Sequence, residues 1–291
     1  MGIIIDENTT VIVQGGTGKQ GSFHAKLMRD YGTRIVASVT PGKGGTEING
    51  VPIYETVKEA NEQYRPRASI LFVPAQFAAD AAHEALDNSI RTVVIITEHV
   101  PIKDSILIMA HAKRARAAVI GPNTPGVITP GKCKLGIMPT TVFAPGNVGV
   151  VSRSGTLTYE IAAGLTKRGI GQSTCLGIGG DPVVGLNFID ALELFKSDEQ
   201  TEAVVLVGEI GGNLEEVTAE YISKSRYPKP VVAYIAGRSA PTEKRMGHAG
   251  AIIIGKAGSA QSKIQAFELT GVSVADKPND VAELVSLALR K

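Results

Sequence analysis

Residues 244 to 254 read KRMGHAGAIII, a histidine set among small residues with a basic pair ahead of it. A histidine in a core normally packs against bulky apolar neighbours. Here Gly247, Ala249 and Gly250 leave His248 a bare backbone and room for a ligand or a reacting group. Imidazole is a nucleophile and a base near neutral pH, so His248 is the first candidate for chemistry. A metal is disfavoured, because no second His or Cys lies at ligand spacing near it. The other histidines, His24, His83, His99 and His111, fall in ordinary helical or strand-end contexts.

A nucleophilic imidazole needs an orienting group on its second nitrogen. Two strand-like runs end in glycines next to an acid, GIGGDP at 177 to 182 and GEIGGN at 208 to 213. Glu209, at the tip of AVVLVGE, is placed to hold a ring N–H if that tip and the loop carrying His248 open on one cleft. The turn SRSGTLTYE at 152 to 160 follows NVGVVS and opens a helix. Ser154, Gly155 and Thr156 there offer hydroxyls and free N–H groups at a helix N-terminus, a ready anion site. Together these residues suit transfer of a phosphoryl group to His248. G-x-S-x-G is absent, so the serine is not a hydrolase nucleophile.

A second constellation lies near the start. After TTVIVQ comes GGTGKQGS, in which Gly16, Gly18 and Gly21 match G-x-G-x-x-G between a strand and a helix. Such glycines permit a tight turn, close backbone approach and an anion at the helix N-terminus. Lys19 precedes the last glycine, so this is not a Walker A loop. An NAD site usually places an acid about 20 residues on, at the next strand tip. Here that strand runs into TPGKGG at 40 to 45, where Lys43 stands in a glycine turn. This points to a phosphate-rich adenine cofactor such as coenzyme A or NADP. The tips Val73-Pro74-Ala75 and Ile96-Thr97-Glu98 lie on the edge where open sheets bind ligands.

The elements that must position these residues are α/β throughout. Strands are expected at TTVIVQ, TRIVASV, ASILFVP, RTVVIITE and AAVIG, with helices at GSFHAKLMRDYG, TVKEANEQY, QFAADAAHEALDN and SILIMAHAKRARA. The expected division is a Rossmann-like domain at 1–122, a connecting segment at 123–147 rich in Pro and Gly, and a second doubly wound domain at 148–291. Strands of the second are expected at NVGVVS, GQSTCLGIG, AVVLVGE, PVVAYIAG and VSVAD. Its helices are expected at TLTYEIAAGLTKRG, LNFIDALELFKS, NLEEVTAEYISKS, SAQSKIQAFELTG and DVAELVSLALR. The halves share a plan but no evident sequence repeat.

Composition narrows the partners. The 291 residues are 43% hydrophobic and 20% charged with a net charge of +2, which gives no general surface for nucleic acid or membrane. With no tryptophan and 5% aromatic residues, stacking platforms for single strands are not expected. Cys133 and Cys175 have neither disulfide nor zinc spacing, and no leader or membrane-span signal is evident, so a reducing, cytoplasmic setting is expected.

The runs GGTGKQGSFH, TPGKGG, ITE, GPNTPGVITPG, SRSGTLTYE, GIGGDP, GEIGG and RMGHAGAI, in that order, resemble the α-subunit family of succinate–CoA ligases (succinyl-CoA synthetases) nearly end to end. The resemblance implies a CoA-binding Rossmann-like domain followed by a flavodoxin-like ligase domain. It also implies a reversible reaction of succinate, CoA and a nucleoside triphosphate through a phosphohistidine and succinyl phosphate. By this likeness His248 is phosphorylated, Glu209 holds its ring, Ser154, Gly155 and Thr156 receive the phosphate, and Tyr159 contacts substrate. Thr17, Gly18, Lys19, Gln20, Lys43, Ile96, Thr97 and Glu98 fall on the family's CoA positions. The family's ATP or GTP, with Mg2+, is bound by a separate β subunit carrying an ATP-grasp domain, in an αβ heterodimer or an α2β2 heterotetramer. One departure is Thr124, in GPNTPG, where family members commonly carry a cysteine. Related readings are a ligase for malate or acetate, a citrate-cleaving relative, or a non-catalytic CoA- or NAD-binding regulator.

Overall fold

The computed structural model describes residues 2–241, 246–253 and 258–290, so Lys244, Arg245 and Ile254 of the histidine stretch lie outside the described residues. The chain forms two compact units. Ile4–Met138 with Val183–Gly185 make one; Pro139–Pro182 and the residues from Leu186 onward make the other, which also takes in the extreme N-terminus.

The first unit is a parallel sheet built from β1 (Thr10–Gln14), β2 (Arg34–Val39), β4 (Val51–Tyr54), β5 (Ala68–Leu71), β6 (Thr92–Ile95) and β7 (Ala118–Ile120), with the short β3 (Glu47–Ile48) antiparallel to β4 at the edge. Its order is β3-β4-β2-β1-β5-β6-β7. The parallel strands, counted along the chain, therefore run 3-2-1-4-5-6, the dinucleotide-fold order, with its switch point between β1 and β5. Every residue of β5 and β6 is buried, as expected of strands covered on both faces. The helices are α1 (Lys19–Asp30), α2 (Val57–Tyr64), α3 (Ala75–Asp87) and α4 (Ile102–Ala115). α3 buries Ala78, Ala82, Ala85 and Leu86, an i, i+4, i+7, i+8 stripe whose small side chains let it lie close to the sheet.

Two features differ from the expectation. The β3–β4 pair has no counterpart in the sequence reading, because two- and four-residue strands beside Asn49, Gly50 and Pro52 show no alternating run. The segment expected as a mere connection contains an antiparallel hairpin, β8 (Gly126–Thr129) and β9 (Cys133–Gly136), both fully buried. Thr33 anchors β9, its hydroxyl donating to Lys134 O (2.8 Å) and accepting from Lys134 N (3.1 Å).

The second unit carries the parallel strands β10 (Pro145–Ser152), β11 (Gln172–Gly177), β12 (Ala203–Glu209), β13 (Val231–Ala236) and β14 (Ser273–Ala275), ordered β14-β13-β12-β10-β11. This is the 2-1-3-4-5 flavodoxin-like order with its switch point between β10 and β12. Around it lie α5 (Gly155–Lys167), α6 (Phe188–Lys196), α7 (Leu214–Ser225), α8 (Ala260–Leu269) and α9 (Val281–Ala288). Local sequence sets the helix starts. Asn187 and Asp190 form a reciprocal capping box on α6, and the Ser259 hydroxyl accepts from Ser262 N on α8. In register Ser152 pairs with Val207 and Gly177, and Glu209 with Ala236, so the loops after β10, β11, β12 and β13 leave one carboxyl edge.

Candidate active site

That edge assembles the histidine site. His248 lies in the loop between β13 and α8, a tight turn in which Met246 N donates to Ala251 O (2.9 Å) and Ala251 N to His248 O (3.1 Å). Its Nδ1 is 2.7 Å from Oε2 of Glu209, the last residue of β12. With a carboxylate as partner, Nδ1 carries the hydrogen and donates it, which leaves the Nε2 lone pair free. The hydrogen bond to Glu209 raises the His248 pKa above the ordinary histidine value; burial and the Arg153 charge oppose that rise, and Asp181 adds to it.

The glycines act differently from what the sequence suggested. The ring rests on Gly180, in the loop after β11, where a Cβ would lie 2.3 Å from His248 Cγ. Gly250 serves packing: a Cβ there would meet Arg153 Nη2 at 2.9 Å, and its N–H donates to Gly180 O (3.0 Å). Gly211, at positive φ, lies so close to this loop that a Cβ would fall 1.9 Å from Gly250 O. Gly247 is open, with nothing within 4 Å among the described residues.

Beneath Glu209 lies a set of charges that sequence reasoning missed. Arg153, the residue before the α5 cap, places Nη2 3.3 Å from Glu209 Oε1 and donates from Nη1 to Glu215 Oε1 (3.1 Å) and Gly211 O (3.3 Å). Glu215 also accepts from the backbone N of Glu209 (3.1 Å) and from Lys263. Lys263 further donates to Gly212 O (3.2 Å) and Glu216 (3.1 Å). Arg153, Glu209, Glu215 and Lys263 are all buried. Nothing in the local pattern of Glu215 or Lys263 separates them from solvated helix charges.

Ser154 caps α5, its hydroxyl accepting from Leu157 N at 3.4 Å, and Gly155 and Thr156 begin the helix. The first N–H groups of a helix have no intrahelical acceptor, so this start faces outward as a donor cluster one residue from Arg153. Tyr159, one turn on, is half-buried with its ring edge-on to Phe143, and burial pushes its hydroxyl up to about 12.

The first unit gathers the other candidates at its own switch point. Gly16 lies against Ser38, where a Cβ would be 2.2 Å from the hydroxyl oxygen, and Gly21 lies against Gly15 O, again at 2.2 Å. Helix α1 begins at Lys19, two residues earlier than expected, because Gly21 in its first turn lets the helix press onto the loop. Its start has no side-chain cap. Thr17 Oγ1 is 3.3 Å from Thr40 Oγ1, which ties this loop to TPGKGG. Glu55 accepts from Gly42 N (2.6 Å) and Gly44 N (2.5 Å), which shapes the turn that exposes Lys43 and lowers the Glu55 pKa. Thr97 donates to Val73 O (2.7 Å), joining the two strand tips, while Glu98 is exposed and Ile96 half-buried. Thr124 is buried, and its hydroxyl accepts from Gly126 N (2.9 Å), closing the turn before β8. The bare helix start, the glycines and the exposed Lys19 and Lys43 fit a pyrophosphate-bearing ligand.

Among the described residues no group of three or more His, Cys, Asp or Glu could hold a metal, and no helix is long and apolar enough to cross a membrane. Cys133 and Cys175 are free and buried.

Comparison with known proteins agrees with both units. Residues 6–99 match the CoA binding domain and residues 151–273 the CoA-ligase family, which defines a CoA ligase chain of two joined domains. The chain is 58% identical over 286 residues to succinate–CoA ligase (ADP-forming) subunit alpha 2 of Archaeoglobus fulgidus, covering 98% of this chain and 99% of that one. It is also 58% identical to the alpha subunit of Methanothermobacter thermautotrophicus, covering 99% and 97%. The chain belongs to the family of succinate–CoA ligase α subunits. Among solved structures it resembles an ATP citrate lyase from Methanothrix soehngenii in complex with citrate and coenzyme A, with a TM-score of 0.91 and 27% identity. That match covers 99% of this chain and 50% of the lyase, so the chain spans half the length of that protein.

Proposed function

We propose that this chain is the phosphoryl-carrying and CoA-binding half of a reversible, NTP-driven succinate–CoA ligase, with His248 as the carrier. The observation that carries the reading is the 2.7 Å contact between His248 Nδ1 and Glu209 in a chain related end to end to succinate–CoA ligase α subunits. With Nδ1–H donated to Glu209, Nε2 attacks the terminal phosphorus of the nucleoside triphosphate. The N–P bond forms, the P–O bond breaks and the diphosphate leaves. The phosphorylated ring is cationic, and Glu209 offsets that charge. A succinate carboxylate oxygen then takes the phosphoryl group, the ring returns to its neutral form, and the CoA thiol displaces phosphate from the acyl phosphate.

In this reading Ser154, Gly155 and Thr156 receive the phosphoryl oxygens at the start of α5. The Tyr159 hydroxyl, protonated across the physiological range, donates to the acid. Thr17, Gly18, Lys19, Gln20, Lys43, Ile96, Thr97 and Glu98 hold CoA, with the pyrophosphate at the start of α1. Thr124 stands where the family commonly has cysteine, and CoA supplies the reacting sulfur. The domains are the CoA-binding part at 1–122, the connection at 123–147 and the ligase part at 148–291. A β subunit with an ATP-grasp domain binds nucleotide and Mg2+, in an αβ or α2β2 assembly in the cytoplasm; the ADP-forming names of the relatives favour ATP. Incubation of the assembled complex with γ-labelled ATP is expected to give acid-labile, base-stable label on this chain, absent in His248→Ala. Label that survives this substitution overturns the reading.

A further inference from the structure

We infer that Arg153, Glu215 and Lys263 are positioning residues that hold Glu209 in place behind His248. The inference rests on His248 being the phosphoryl acceptor. Its independent basis is geometry. Glu215 and Lys263 are both 0% exposed, and Arg153 and Glu209 are each 6% exposed. Four buried charges gathered in one place are a poor device for stability, since well-packed apolar residues of similar volume do as well or better. Their contacts converge on one short loop. Glu215 accepts from Glu209 N, Arg153 donates to Gly211 O, and Lys263 donates to Gly212 O, so the backbone carrying Glu209 is held from three sides. Arg153 then forms an ion pair, with no hydrogen bond, to the carboxylate oxygen that His248 does not use, and its Nη2 also lies under Gly250 of the histidine turn. One guanidinium therefore sets both partners of the 2.7 Å contact.

The charges alternate along this chain, Glu209, Arg153, Glu215, Lys263, with two cations against two anions and the half-buried Glu216 at the far end. Among the described residues the charged groups facing the ring are Glu209, Asp181 and Arg153. Left with the two acids alone, the imidazole would hold its proton to higher pH and its nucleophilic form would be scarcer at neutrality. Arg153 opposes this. Lys263 and Glu215 keep Arg153 from turning wholly onto Glu209, because Nη1 is already engaged.

The test is the pH dependence of His248 phosphorylation in the complete α–β complex, with KM for CoA and the melting transition recorded for each variant. Arg153→Gln is expected to move the acid limb of the rate profile to higher pH and to lower the limiting rate about tenfold or more, with KM for CoA unchanged. Arg153→Lys restores the charge, so the limb returns towards wild type while the rate stays low. Should Arg153→Gln not fold, the paired Glu215→Gln/Lys263→Met variant, which removes both partners of the ion pair, is expected to fold and to lose rate at constant KM for CoA. Folded variants with wild-type rate and profile overturn the inference. A wild-type complex that takes no label on His248 overturns the functional reading instead, and the two failures are distinct.

Discussion

The two switch points of this chain are built on one plan and finished in opposite ways. In the first unit the start of α1 is uncapped and lined with glycine, and the side chains around it, Lys19, Gln20 and Lys43, are exposed. In the second, α5 is capped by Ser154, and the space behind the loops is filled by the ion pairs of Arg153, Glu209, Glu215 and Lys263. A ligand arriving whole from solution is met by backbone N–H groups that need no side-chain support. A side chain that reacts must be held, and holding it takes buried charge.

Breaking the braced side has the largest expected effects. His248→Ala removes the proposed phosphoryl acceptor and is expected to abolish labelling while leaving CoA affinity of the chain intact. Gly180→Ala places a Cβ 2.3 Å from His248 Cγ and pushes the ring off its seat. A displacement of about 1 Å at a reacting group costs on the order of a hundredfold in rate, so single-turnover phosphorylation is expected to fall by that much with CoA binding unchanged.

Glu209→Gln sharpens the same side through pH. Glu209 raises the His248 pKa, so the variant is expected to show a lower value when the ring is titrated by NMR. A group whose folded pKa is raised contributes stability that is full below the unfolded value, near 6.5, and is lost as pH rises through the folded value. The His248-linked part of the difference between wild type and variant is therefore expected to be greatest in mildly acidic denaturation experiments and to vanish at alkaline pH.

The bare side should break more gently, except where a glycine is packed. Gly21→Ala sets a Cβ 2.2 Å from Gly15 O and is expected to deform the loop, with weaker CoA binding by calorimetry and phosphorylation of His248 retained. Lys43→Ala is expected to give the smallest change. An exposed charge contributes about 1 kcal/mol or less and is screened by salt, so CoA affinity should fall severalfold at low ionic strength and less at high.

The same contrast separates what the sequence made legible from what it did not. Strands covered on both faces are continuous apolar runs, and Ser154, Asn187 and Ser259 mark their helices, so the alternation could be read. The bare-loop residues stood out too, as glycines and a lysine in a strand–loop–helix context, and the structure has them in the loops at the first switch point. His248 stood out for its small neighbours, although the glycine that seats it, Gly180, comes from another loop. The braces could not be read. Glu215 looks like any acid in a first helical turn, where the helix dipole alone would favour it, and Lys263 like any solvated helix lysine. Their burial depends on which helices pack together, and that information is not local. The hairpin of β8 and β9 escaped for a related reason: its strands are four residues each, and its partner Thr33 lies 101 positions from Lys134.

The most direct test of the account is the position of the phosphoryl group on the ring, read by 31P and 15N NMR of the phosphorylated complex. With Nδ1 committed to Glu209, the phosphate is expected on Nε2 of His248, with a protonated Nδ1. Phosphate on Nδ1, or on any residue other than His248, would contradict it.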